Sequence, residues 1–168
     1  MRARSHLTQE QLREILHYDP ETGEFRWLQR MKNRILADDI AGWVSQLGYR
    51  RITISGRGYS AHHLAWLYMT GAWCGATIDH RDRDPANNRW NNLRRSTPSM
   101  NNANRRRQRN NTSGFAGVYL ERESGKWVAR VRKDGRTHHL GRFATPQAAH
   151  EAYAAAAREL FGEFARVE

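Results

Sequence analysis

The chain has one cysteine, Cys74, and only four prolines in 168 residues. A lone thiol excludes an internal disulfide and any zinc knuckle built from several cysteines. Hydrophobic residues make up 39 %, enough for packed cores but not for a membrane protein. No stretch approaches the roughly 20 consecutive apolar residues that a spanning helix needs. The opening MRARSHLTQEQLREIL has no apolar segment of the kind a secretory signal carries. A reduced, cytosolic setting is expected from these absences, and the length allows one domain or two small ones.

What the chain does have is positive charge, a formal +11 from 28 Lys/Arg against 17 Asp/Glu. The charge is uneven. Residues 101–112, NNANRRRQRNNT, hold four arginines (Arg105, Arg106, Arg107 and Arg109) and no acidic residue. Such a run reads either as a solvated linker or as a connector that touches a polyanion. The second reading is preferred because both flanking segments point to nucleic acid.

Thr8 is placed to cap an amphipathic helix with Leu12, Ile15 and Leu16 on one face, ending near His17-Tyr18. Residues 24–28 alternate as a short strand, and residues 49–54 and 59–62 flank Ser55-Gly56-Arg57-Gly58 as a hairpin. HHLAWLYMTG follows as a helix stopped by Gly71. Trp27, Trp43, Trp66, Trp73 and Trp90 are expected in the core.

The stretch from Ile78 to Asn102, IDHRDRDPANNRWNNLRRSTPSMNN, carries the chemistry. Asn92 follows His80 by twelve residues and Asn101 by twenty-one. Residues 77–80 read as a strand, a polar turn leads to a second strand or tight loop over residues 90–94, and Thr97-Pro98 begins a helix holding Asn101. Asp and Asn oxygens suit a hard cation, Mg²⁺ or Mn²⁺, and an imidazole outside the metal's ligand set suits deprotonation of water. Asp79 and Asn101 are therefore candidate metal ligands, one ion per site, and His80 is the candidate base. Asn92 is expected to hold the loop through side-chain-to-backbone hydrogen bonds and so orient His80. Singly, each of these residues is as well explained by a turn or a loop; together, at this spacing, they describe a site for phosphodiester hydrolysis.

Asp79-His80, Asn87-Asn88-Arg89, Asn92-Leu93-Arg94, Thr97 and Asn101 resemble the signature of the HNH nucleases, in the branch encoded by phages and group I introns. HHLAWLYMTGAW resembles that family's lead-in, with His62 at its His-Arg position and His63 where Arg is usual. The resemblance covers residues 49–104. It implies a ββα-metal unit with His80 as general base, Asp79 and Asn101 as metal ligands and Asn92 as the structural Asn.

From Ser113 the organisation restarts. Residues 116–120, 126–132 and 137–143 read as three strands, with Ser124-Gly125 and Asp134-Gly135 as turns. Thr145-Pro146 caps a helix whose stripe runs through Ala149, Ala152, Tyr153, Ala156, Leu160 and Phe164. Period two puts Trp127, Ala129 and Val131 on the helix-facing side and Lys126, Arg130 and Arg132 on an open basic side. Tandem His138-His139 could suggest a metal, but no further ligands cluster nearby, so it reads as surface or DNA contact. Gly117-Val118, Gly125-Lys126-Trp127-Val128-Ala129, Leu140-Gly141, Phe143, Thr145, Ala148-Ala149 and Ala152-Tyr153 resemble the DNA-binding domain of plant ethylene-response factors. That resemblance implies a sheet in the major groove, with Tyr119, Lys126, Arg130, Arg132, His139 and Arg142 as contacts.

The expected fold class is α+β: an HNH domain over residues 1–104, a basic linker over 105–112 and a DNA-binding domain over 113–168. The leading function is a metal-dependent endonuclease acting on double-stranded DNA, like phage-borne homing endonucleases, as a monomer or dimer with no obligatory protein partner. It would be phage-encoded and active in the cytoplasm of a bacterial host. The alternative is a non-catalytic DNA-binding regulator on a nuclease-like scaffold. An RNA-directed role has little support, because no aromatic-rich strand of the base-stacking type is present.

Overall fold

A computed structural model describes residues 7–30, 35–104 and 111–167. Its architecture is α+β, with short helices and small sheets. By the density of internal contacts it divides into two units, residues 1–95 and 96–168.

The first unit begins with α1 (Gln9–Ile15), started by a capping box in which Thr8 and Gln11 each satisfy the other's backbone N–H. The helix ends sooner than its apolar spacing suggests. Leu16–Tyr18 is instead a strand, β1, paired antiparallel with β2 (Phe25–Trp27), so that Leu16, Tyr18, Phe25 and Trp27 all turn into the core. Two strands of three residues suffice because every second side chain is buried.

β3 (Trp43–Val44), β4 (Arg50–Ile54) and β5 (Arg57–Ser60) form a three-stranded antiparallel sheet. Ser55 and Gly56, both at positive φ, close the β4–β5 hairpin, the conformation a two-residue primed turn requires. β3 was not legible as a strand, since its two side chains are solvent-facing; Trp43 is 60 % exposed, not part of the core.

α2 (Ala61–Thr70) buries His62, Leu64, Ala65 and Leu67 and stops at Gly71 in the left-handed region. Gln9 and Arg13 of α1 both donate to the Tyr68 carbonyl, fastening the two helices. β6 (Thr77–His80) then pairs with β7 (Leu93–Ser96), and a single 3-10 turn (Trp90–Asn92) leads into β7.

The second unit opens with α3 (Pro98–Ala103), capped by Thr97. β8 (Val118–Glu121), β9 (Lys126–Lys133) and β10 (Arg136–Phe143) make an antiparallel meander with β9 central. α4 (Pro146–Phe161), capped by Thr145, covers one face. Its buried line runs Ala149, Tyr153, Ala157 and Phe161, rotated slightly from the expected stripe, and meets Val118, Ala129 and Val131. Gly117 marks the tightest approach, where a Cβ would lie 2.3 Å from the Tyr153 ring. α3 belongs to this core: Met100 and Ala103 pack on it, and the Asp134 N–H donates to Ser99 Oγ at 3.0 Å. Compactness thus breaks the chain ahead of α3, whereas the motif reading keeps α3 with the preceding strands.

Candidate nuclease site

Asp79 and His80 end β6 and are almost wholly buried, at 5 % and 6 % exposure. A buried carboxylate needs a cation, and Arg94 on β7 supplies it: Nε and Nη2 both donate to Asp79 Oδ2 at 2.9 Å. Arg94 is itself only 6 % exposed, so the pair sits in a low-dielectric setting. It holds the carboxylate in one orientation.

The loop from Arg81 to Arg89 is organised by Asn92. Its Nδ2 donates to Asp82 Oδ1 and to the Asn87 carbonyl, at 2.9 and 2.8 Å, while its Oδ1 accepts from the Asp82 N–H at 3.0 Å. Asp82 also accepts from the Asn87 amide and the Asp84 N–H. Partial burial pushes the Asp82 carboxyl up, and the Asp84, Asn92 and Asn87 hydrogen bonds outweigh that and leave it below its usual range. Asp82 is therefore a loop fastener.

His80 sits among aromatic rings. His62 meets it edge-on, with centroids 5.1 Å apart, and Tyr49 lies 6.1 Å away. Burial, with the nearby His63, His80 and Arg51 charges, pushes the His62 imidazole down to about 3, so it stays neutral. Burial and Arg51 lower His63 as well. His80 Nε2 stands 3.3 Å from Asn88 Oδ1.

Asp79, His80 and Asn92 are thus brought together in the first unit. Asn101 lies on α3 in the second. Among the described residues no three His, Cys, Asp or Glu side chains form a metal-holding group. Arg94 and Asn88 were quoted in the signature without a role. The signal for Arg94 was available, since a buried Asp beside a strand pair calls for a partner on the neighbouring strand.

In the second unit, cross-strand register puts Tyr119 and Arg142 opposite Val128, and His139 opposite Arg130. Tyr119, Lys126, Arg130, Arg132, His139 and Arg142 therefore share the face turned away from α4. Three are already engaged: Arg142 makes a two-pronged pair with Glu121, at 2.7 and 2.9 Å, and the Arg130 guanidinium lies 4.8 Å over the Tyr119 ring. Val128, on that same face, is fully buried. Arg105, Arg106, Arg107 and Arg109 lie outside the described residues.

The HNH endonuclease family model matches residues 59–103, which span β5, α2, the β6–β7 pair and α3. That segment is an HNH endonuclease domain. It is 34 % identical over 92 residues to Protein 3.8 of Escherichia phage T7, covering 55 % of this chain and 75 % of that protein. It is 38 % identical over 88 residues to an uncharacterized HNH endonuclease of Acanthamoeba polyphaga mimivirus, covering 52 % of this chain and 44 % of that one. Among solved structures, the HNH homing endonuclease I-HmuI, described in DNA binding and cleavage, aligns with a TM-score of 0.41 at 26 % identity, over 54 % of this chain and 51 % of that one.

Proposed function

We propose that the chain is a metal-dependent endonuclease that hydrolyses phosphodiester bonds in duplex DNA. The observation that carries this reading is the buried Asp79-His80 pair at the end of β6, inside the segment matched by the HNH endonuclease family. His80 takes the proton from a water whose oxygen forms the new bond to phosphorus, and the bridging oxygen leaves. The His62 and Tyr49 rings beside it limit how the His80 imidazole can turn.

The donor chemistry fits a hard divalent ion. Asp79 offers an anionic oxygen donor on a carboxylate that Arg94 orients, and Asn101 offers a neutral oxygen. With so few protein donors, most positions fall to water and phosphate, the habit of Mg²⁺, with Mn²⁺ an equivalent. Bound there, the ion would neutralise charge on the phosphoryl group and assist the leaving oxygen.

The basic face of the second unit, which resembles the ethylene-response-factor sheet, is assigned to holding the duplex, with the Arg105–Arg109 run beside it in sequence. Supercoiled plasmid is the test. Nicked or linear product is expected with Mg²⁺ or Mn²⁺, and none with EDTA or with His80→Ala. Plasmid that stays supercoiled with every metal, while still bound by the protein, would instead mark a DNA-binding regulator.

A further inference from the structure

Asn88 is the most deeply buried polar side chain of the loop, at 1 % exposure. The loop around it is clamped by the β1–β2 hairpin. The Asn88 carbonyl accepts from the buried Tyr18 hydroxyl at 2.7 Å, and the Trp90 N–H donates to the Pro20 carbonyl at 2.9 Å. Gly23, at φ +76°, lies so close that a Cβ there would be 2.5 Å from the Asn88 carbonyl carbon. The Asn88 backbone therefore has little room to shift.

The Asn88 side chain is equally determined. Its Nδ2 donates to the Ala86 carbonyl at 2.9 Å. A carbonyl only accepts, so the NH₂ must face Ala86 and Oδ1 must face the other way, toward His80 Nε2 at 3.3 Å. An amide oxygen also only accepts. The nitrogen opposite it therefore carries the hydrogen, and in a neutral imidazole the other nitrogen then holds the lone pair.

We propose that Asn88 is a positioning residue that fixes His80 in the Nε2–H tautomer and so presents Nδ1 as its basic nitrogen. The opposite tautomer would set two acceptors against each other in a buried place. The effect on cleavage rests on the nuclease reading above, whereas the tautomer itself does not.

Full-length protein labelled with ¹⁵N-histidine tests this by long-range ¹H–¹⁵N correlation at mildly alkaline pH, with the His80 signals assigned by their loss in His80→Ala. Wild type is expected to show the Nε2–H pattern. Asn88→Asp, which keeps an acceptor, should retain it. Asn88→Leu, similar in volume with no acceptor, should give a mixed pattern and cut turnover at saturating DNA about 10–100-fold with KM little changed. An Nδ1–H pattern in wild type overturns the assignment whether or not any variant folds, and so does an unaltered pattern in Asn88→Leu. An Nε2–H wild type that leaves plasmid uncut supports the assignment and removes the nuclease reading.

Discussion

His62 is held neutral by burial among Tyr49, His63 and His80, with Arg51 also nearby, its imidazole pushed down to about 3 from an ordinary 6.5. Below 6.5 the unfolded chain takes up a proton there that the folded chain refuses. Stability from this site is therefore complete above about 6.5 and falls as pH drops from there toward 3, by about 1.4 kcal/mol per pH unit. Urea unfolding at pH 7.5 and 5 should show that loss, and His62→Leu should flatten the difference; an equal loss in both proteins would refute it. Arg94 gives a second expectation. Arg94→Met strands the Asp79 carboxylate in the interior and should cost about 3–5 kcal/mol in a thermal melt. The spacing of Asp79, His80, Asn92 and Asn101 was legible in the chain because it falls within the segment that matches the HNH signature. The work of Asn88 was not, because it acts on its neighbour through a distance that only the folded backbone sets.

Among elements, the polar loop between β6 and β7 has the most to lose from one substitution. Asn92 ties Asp82 to Asn87 through three hydrogen bonds, beside the direct bond from the Asn87 amide to Asp82. Asn92→Ala should lower stability by about 1–3 kcal/mol and reduce nicking further than that loss explains, measured by melting and by plasmid assay on the folded fraction. Helix caps and the C-terminal meander were readable because Thr8, Thr97 and Thr145 are followed by helical patterns, and Asp134-Gly135 names its own turn. β1 and β3 were not. β1 follows α1 without a break, so its apolar residues extend the helical spacing. β3 is two residues long and exposed, which leaves no alternation to detect.

For the molecule as a whole, the C-terminal unit has a structural part as well as the DNA-holding role proposed for it. It contains α3, the helix of Asn101, anchored through Met100, Ala103 and the Ser99–Asp134 contact. Ser99→Ala should speed hydrogen exchange at the Asp134 amide while the rest of the sheet stays protected. A chain ending at residue 104 should lose the α3 helix, seen as missing amide protection over 98–103. Binding should be strongly salt-dependent. Removing Arg130 and Arg132 together should lower the slope of log K against log salt by up to about 1.8, if each meets one phosphate; an unchanged slope would place the duplex elsewhere.

The hairpin of β1 and β2 lies outside the family-matched residues 59–103, yet its Tyr18 hydroxyl and Pro20 carbonyl bond the loop that carries Asn88. Transplanted alone into another scaffold, the matched segment would arrive without those partners. Its loop would keep the signature letters and lose the brace that keeps them in register. In this chain, then, the heritable unit and the physical unit have different edges, and a graft intended to move the chemistry would have to begin near Leu16.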